Sequence, residues 1–240
     1  MIFHSLCFSL AAPEKNEYVY MLLLLIQSLL KTKTFVPKED TYYVMADKET
    51  AAILKQIPQS QFLYLIEIPR PRDVYEGMTY KYKLFDFVET RDEVVMYLDV
   101  DLLAVKQSRF VIPPDKLYIC AEGSKSDTNY SGDDSTTLPF NAGYTAGFFM
   151  YRWGPRVSKT FTEILERMAN CSTRFYTLDQ PHFNRALGTE TGVIGFFPAT
   201  LLSFNGHNNQ QAAHFINLAG EPGDGPFHFR KALSMYLMLF

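Results

Sequence analysis

The stretch Val94-Val95-Met96-Tyr97-Leu98-Asp99-Val100-Asp101 decides the fold of this chain, because an unbroken apolar run ends at two carboxylates one residue apart. Five consecutive apolar residues are typical of a strand that is covered on both faces in an α/β sheet. Ligands of such sheets bind beyond the carboxyl ends of the strands. Asp99 and Asp101 therefore form a candidate site for one divalent ion, with coordination positions left for a diphosphate. A solvated acidic turn has the same sequence, so neighbouring motifs must distinguish the two interpretations.

Lys83 is the first neighbouring residue that supports a phosphate site. Apolar side chains at positions 84, 85, 87 and 88 predict a helix over residues 83–88 that leads into the strand. We expect this helix to bring Lys83, sixteen residues before Asp99, to the same rim, where an ammonium neutralises a phosphate. The segment from Lys83 to Asp101 resembles the lysine, helix, strand and Asp-x-Asp segment of the glycogenin-like glycosyltransferases, family 8, which have a GT-A fold.

Two further segments match the same family in the same order. Phe140-Asn141-Ala142-Gly143 is similar to a Phe-Asn-Ser-Gly segment whose asparagine contacts the donor sugar. Asp179-Gln180, followed by Asn184, is similar to an Asp-Gln-x-x-Leu-Asn segment whose aspartate and glutamine face the transferred sugar. The resemblance implies donor binding by Asn141, Ala142 and Gly143 and catalytic roles for Asp179 and Gln180. Asp179 is also placed to cap the helix that follows, which is a structural role.

The two ends of the resemblance are looser. His214, with Gly220 behind it, is similar to the His-x-x-Gly-x-Lys-Pro-Trp segment that supplies the third metal ligand, which implies that His214 joins the carboxylate pair. Gly220 follows His214 by six residues instead of the family's three, and Lys-Pro-Trp is absent. His228 is therefore kept as the reserve candidate for the metal ligand. Tyr18 stands at the family's position for an aromatic residue that packs on uracil. Val100 and Gly220 complete the donor-binding residues that the resemblance implies.

The remaining pattern predicts an α/β fold of the GT-A type, with a Rossmann-like, mostly parallel central sheet flanked by helices. Strands are predicted at residues 2–10, 41–46 and 62–68, and helices at residues 16–30, 48–56 and 158–169. No repeat or interdomain linker is present, so we expect one glycosyltransferase domain over residues 1–240.

The composition excludes several classes of partner. Lys and Arg total 23, and Asp and Glu total 26, which gives a formal charge of −3. No basic surplus is left to attract nucleic acid, and an anionic membrane is not an obligatory partner. The three cysteines, Cys7, Cys120 and Cys171, are far apart and odd in number, which predicts neither a disulfide framework nor a zinc site. The oligomeric state is not indicated by the sequence.

Two apolar segments near the N-terminus match membrane signals only in part. The apolar run at residues 21–26 is too short to cross a bilayer, which needs about 20 residues, so a buried helix is predicted. Residues 1–12 lack the basic start and the cleavage pattern of a signal peptide. The sequence therefore predicts a cytoplasmic protein, or a segment trimmed from a longer protein of the Golgi type.

These motifs predict a metal-dependent glycosyltransferase that retains the anomeric configuration. The resemblance implies UDP-glucose or UDP-galactose as donor, Mn²⁺ or Mg²⁺ as the ion, and a glycan or a protein as acceptor. Two other classes stay open. A nucleotidyltransferase or nucleotide-sugar pyrophosphorylase shares the sheet and the carboxylates, although the Gly-rich basic loop of those enzymes is absent after the first strand. The other is a non-catalytic module that binds a nucleotide sugar or a glycan.

Overall fold

The fold is that of an α/β protein, as the alternation of strands and helices in the sequence predicts. The computed structural model describes residues 1–10, 17–89, 91–124, 128–132, 140, 142–173, 175, 177–204, 213–218 and 225–240. Asn141 and Gly220 lie outside the described residues. His228 lies in a helix, but its side chain is not described. Three of the predicted site positions therefore stay predictions.

Ten strands and seven α-helices are present in the described residues. The strands are β1 (Ile2–Leu6), β2 (Thr41–Asp47), β3 (Leu63–Ile68), β4 (Val94–Leu98), β5 (Leu102–Ala104), β6 (Lys116–Ser124), β7 (Ala142–Arg152), β8 (Ile194–Phe196), β9 (Leu202–Phe204) and β10 (Phe215–Asn217). The helices are α1 (Glu17–Lys31), α2 (Lys48–Gln56), α3 (Val74–Met78), α4 (Thr128–Ser131), α5 (Pro155–Asn170), α6 (Gln180–Ala186) and α7 (Gly225–Leu239). The early strands and helices confirm the predicted order, with β1 ending sooner than expected.

Seven strands form one sheet in the order β3-β2-β1-β4-β7-β6-β8. The pairs β1–β2, β2–β3 and β6–β8 are parallel, whereas β6 and β7 are antiparallel. A second sheet has the order β5-β10-β9. The mixed α/β architecture with a central sheet between helices confirms the predicted fold class.

The residues group into two compact units. The first comprises Met1–Arg72, Leu98–Phe110 and Thr200–Phe240, and the second comprises Asp73–Tyr97 and Val111–Ala199. The expectation of a single domain over residues 1–240 stays a prediction.

In the first unit, the apolar run at residues 21–26 lies in α1. Leu22, Leu25 and Ile26 of this helix are fully buried, which confirms the predicted buried helix. Ser28 on the same helix accepts a hydrogen bond from the Ala104 N–H of β5 at 3.0 Å. Helix α1 is therefore held against the strand that follows the carboxylate pair. Among the described residues, no helix combines the length and the apolar character that a membrane crossing requires.

In the second unit, the core is built from stacked aromatic rings. Phe149 of β7 stacks on Tyr97 of β4 at a centroid distance of 4.8 Å, on Phe183 of α6 at 5.6 Å and on Tyr82 at 5.9 Å. Such pairs contribute about 0.5–1.5 kcal/mol each beyond the burial of their area. The rings hold α6 and the segment before β4 against one strand.

The predicted helix over residues 83–88 is wrong. The segment forms a short 3₁₀ helix, Leu84–Asp86, after another one at Thr79–Tyr82. The apolar side chains do not share one face, because Leu84 and Phe85 are buried whereas Phe87 is 43 % exposed. A continuous α-helix would have needed an apolar stripe at helical spacing over more than six residues.

Candidate active site

The carboxylate pair lies at the carboxyl end of β4, as predicted. Asp99, Val100 and Asp101 form a turn that is closed by a hydrogen bond from the Leu102 N–H to the Asp99 carbonyl at 3.3 Å. Ser5 of β1 donates a hydrogen bond to the Leu98 carbonyl at 2.6 Å, which fixes the end of the strand in the core. Both aspartates are partly exposed as residues, and they directly follow the buried strand β4.

Tyr18 lies close to this pair. It is the second residue of α1 and is 50 % exposed. Partial burial, followed by the negative charges of Asp101, Glu17 and Asp99, raises the pKa of the Tyr18 phenol. The charges of the two aspartates therefore reach the Tyr18 phenol. A half-exposed aromatic ring lies within electrostatic range of the candidate metal ligands.

His214 lies at the opposite end of the β5–β10 ladder from Asp101, and its role as the third metal ligand stays a prediction. Its carbonyl accepts hydrogen bonds from the Val105 and Lys106 N–H groups, whereas the Asp101 carbonyl accepts one from Leu218 at the other end of the same ladder. Four residues of strand separate the two positions, about 13 Å. At its own end of the ladder, the His214 Nδ1 atom is hydrogen-bonded to Ser108 Oγ at 2.9 Å.

Asn217 lies nearer to Asp101 along the same ladder than His214 does. In the β5–β10 register Asn217 is the partner of Leu102, the residue next to Asp101, and it is 6 % exposed. It also precedes Gly220 by three residues, which is the His-x-x-Gly spacing of the resembled family. That spacing was the signal that would have identified Asn217. In the described part of the chain, no three His, Cys, Asp or Glu side chains are grouped so that they could share an ion.

Asp179 lies in the second unit, in a buried polar cluster. Its Oδ1 atom is 3.2 Å from Lys81 Nζ, and its Oδ2 atom accepts a hydrogen bond of 2.6 Å from the Tyr82 hydroxyl. The carboxylate and the ammonium are each 3 % exposed. The Asp179 side chain makes no capping bond to α6, so the capping role is wrong. Leu178, just before it, has a φ of 56°, a strained conformation of the kind found at functional sites.

Lys81 was missed by the sequence analysis, which selected Lys83. Besides its ion pair, Lys81 donates to the Ala146 carbonyl at 3.4 Å and lies over the Tyr97 ring at 5.4 Å. Lys83 is partly exposed, with its Nζ 3.4 Å from Thr79 Oγ1. Two lysines in an alternating Lys-x-Lys segment look alike in sequence, and only burial separates them. The phosphate-binding role of Lys83 stays a prediction.

Gln180 and Asn184 of α6 bind the beginning of β7. Gln180 Oε1 accepts a hydrogen bond from the Ala146 N–H at 3.0 Å. Asn184 accepts from the Tyr144 N–H at 2.8 Å and donates to the Tyr144 carbonyl at 2.7 Å. These amides therefore position the strand segment that starts at Ala142.

Gly143, also in this segment, packs against an aromatic ring. A Cβ atom at Gly143 would overlap the ring of Tyr130, so the position requires glycine. The segment that follows Asn141 is thus held from two sides. Donor contacts by Ala142 and Gly143 stay predictions.

Comparisons with known proteins identify the fold. No family model and no curated protein sequence matches this chain. Similar solved structures include the galactosyltransferase LgtC in complex with donor and acceptor sugar analogs and an active-site mutant of LgtC. For each, the TM-score is 0.63 and the identity is 13 %, and the match covers 98 % of this chain and 96 % of that chain. The chain thus has the GT-A fold of these structures.

Proposed function

We propose that this chain is a metal-dependent glycosyltransferase that moves a hexose from UDP-glucose or UDP-galactose to a glycan or protein acceptor, with retention of configuration. The observation that carries the proposal is the carboxylate pair Asp99 and Asp101, which lies in the turn at the end of the buried strand β4, with Tyr18 within electrostatic range of both. An aromatic ring for the base and oxygen ligands for a diphosphate-bound ion are the two parts that a UDP-sugar site needs. The similarity in fold to LgtC, a galactosyltransferase, supports it.

The ion would be held by Asp99, Asp101 and Asn217. Two carboxylates and an amide oxygen are hard ligands, which suit Mn²⁺ or Mg²⁺ and not a soft metal. The β5–β10 register supports this assignment, because Asn217 is the partner of Leu102, which directly follows the Asp99–Asp101 turn. When bound, the ion supplies positive charge against the diphosphate leaving group.

Asp179 is assigned to orient the transferred sugar and not to attack it. Lys81 and Tyr82 each bind one carboxylate oxygen, so the group is held in one orientation in a dry environment. A carboxylate engaged in this way is a weak nucleophile, whereas a carboxylate oxygen can accept more than one hydrogen bond, including one from a sugar hydroxyl. We therefore favour transfer on the leaving-group face over a covalent intermediate on Asp179.

The transfer step then balances without a protein base. The bond between the anomeric carbon and the diphosphate oxygen breaks, and the acceptor hydroxyl oxygen bonds to the same face of that carbon. The acceptor proton passes to the departing phosphate oxygen. Lys81 and Tyr82 keep Asp179 in place during this step, which is a preorganised electrostatic contribution. Lys83 is proposed to add positive charge at the diphosphate.

The test is a screen of nucleotide sugars for Mn²⁺-dependent release of the nucleoside diphosphate, followed by proton NMR of the glycosylated product. We expect release from UDP-glucose or UDP-galactose and an α-linked product. The same assay with pyrophosphate and UDP-sugar tests for formation of UTP, the product of a pyrophosphorylase. If calorimetry shows binding of a UDP-sugar but no turnover occurs, the chain is a non-catalytic binding module. A β-linked product would contradict retention of the anomeric configuration.

Tyr82→Phe tests the role of Asp179 separately. The ring stays in the aromatic stack, and the 2.6 Å hydrogen bond to the carboxylate is lost. We expect a lower kcat with an unchanged donor KM, because the contact acts in the transition state. A higher donor KM with unchanged kcat would make Asp179 a ground-state contact.

A further inference from the structure

Three aromatic side chains of the second unit contact one another near the segment that contains Asn141. Phe140, Tyr144 and Phe196, here called the aromatic triad, have ring centroids 5.3 to 5.9 Å apart in all three pairings. Tyr144 is 7 % exposed, whereas Phe196 is 50 % exposed. The triad is therefore an aromatic cluster with one ring open to solvent.

The exposure of Phe196 is imposed by its strand. The next residue, Phe197, is 8 % exposed and packs on Tyr118 at 5.3 Å and on Phe148 at 5.8 Å. The Phe197 N–H also bonds to the Ile119 carbonyl at 3.0 Å. Successive side chains of an extended segment point to opposite sides, so the buried Phe197 holds Phe196 outward.

The triad is coupled to the proposed sugar site through Tyr144. Both backbone polar groups of Tyr144 bind the Asn184 amide of α6, and α6 begins directly after Asp179. Phe140 immediately precedes Asn141, the predicted donor contact. The same helix thus positions the strand that carries Tyr144 and the residue assigned to the transferred sugar.

The chemistry of the triad suits a sugar ring. A pyranose has one face of carbon-bound hydrogens that packs on an aromatic ring, and it needs no opposite charge. The triad contains no charged side chain, and its exposed member is a phenylalanine, which offers no hydrogen bond that a peptide backbone or a phosphate would require.

We propose that the ring of Phe196 is the platform on which a neutral pyranose of the acceptor packs. The proposal rests on the proposed glycosyl transfer and names the class of acceptor for that site. It assigns Phe196 to acceptor binding and not to the donor, since Phe196 lies on β8, which carries none of the predicted donor residues.

The test compares four variants with maltose and lactose as acceptor probes and glycerol as an acyclic control. Phe196→Ala and Phe196→Leu should each raise the disaccharide KM about tenfold, the loss expected for one aromatic contact. Phe196→Tyr keeps the ring and should behave as the parent chain. Tyr64→Ala is the matched control, since Tyr64 is 62 % exposed on β3 of the first unit. Thermal unfolding of each variant establishes that it is folded.

Hydrolysis of the donor to free hexose needs no acceptor and separates the two proposals. We expect Phe196→Ala to keep the hydrolysis rate and the donor KM within about twofold. A disaccharide KM unchanged in Phe196→Ala, or a KM raised equally for glycerol, would overturn the platform. So would light scattering in which the parent chain is a dimer and Phe196→Ala a monomer, because Phe196 would then contact a second copy.

A parent chain that neither hydrolyses any UDP-sugar nor transfers its hexose to an acceptor would refute the proposed function instead. Saturation-transfer NMR with maltose is the readout that remains in that case. A saturation-transfer signal on the sugar-ring protons of maltose that is lost with the Phe196→Ala variant and kept with the Tyr64→Ala variant supports the platform without turnover. No signal in the parent chain overturns it.

Discussion

Replacement of Lys81 by methionine should strongly destabilise the second unit. Methionine keeps the length of the side chain but removes the cation that lies 3.2 Å from Asp179, and both partners are 3 % exposed. The buried carboxylate would keep its hydrogen bond from the Tyr82 hydroxyl but would lose the cation that balances its charge. Loss of one partner from a buried ion pair costs about 3–5 kcal/mol, because the remaining charge is uncompensated.

The double variant Lys81→Met with Asp179→Asn removes both charges and should recover most of this loss. We expect a cost of about 1–2 kcal/mol, which is the hydrogen bonding that the neutral pair no longer makes. Urea unfolding followed by fluorescence is the assay, since the only tryptophan, Trp153, belongs to the same unit.

An exposed ion pair of the same unit is the control. Lys159 and Glu190 are 2.5 Å apart, but the lysine side chain is 61 % exposed, so Lys159→Met should cost at most about 1 kcal/mol. The reasoning is refuted if Lys81→Met costs no more than Lys159→Met, or if the double variant is as unstable as the single one. Either result would mean that solvent reaches the pair and screens it.

Three further outcomes are expected. Asp101→Asn and Asn217→Ala should each lower Mn²⁺-dependent release of UDP, whereas His214→Ala should leave the rate within about twofold of the parent chain. If His214→Ala lowers the rate and Asn217→Ala does not, His214 is the third ligand, as the sequence predicts. Tyr18→Ala should weaken UDP binding about tenfold in calorimetry with little change in the melting temperature, since the ring is half exposed; equal affinity would remove Tyr18 from the base site. Burial lowers the pKa of His4 to about 3, so the unfolded chain binds a proton below pH 6.5 that the folded chain does not, and stability should fall by about 2 kcal/mol from pH 7.5 to pH 5. His4→Gln should lack that part of the pH dependence in urea unfolding, and an unchanged slope would contradict the assignment.

Local pattern alone determined the central features of the chain. The apolar run of β4 and the two carboxylates after it predicted a buried strand with a site at its end, and Asp99 and Asp101 stand there. The run at residues 21–26 predicted a buried helix, and α1 is one. Such signals are readable because burial on both faces of a strand, or along a helix, leaves a mark in consecutive residues.

Only the tertiary structure decided which residues complete each cluster. Lys81 and Asp179 are 98 residues apart, and nothing near Lys81 in the sequence separates it from Lys83. The choice between His214 and Asn217 depends on the register of β10 against β5, since a shift of three residues moves a side chain from one end of a ladder to the other. Register and long-range ion pairs arise from how distant segments pack, and that packing depends on the whole core, which no local stretch of sequence contains.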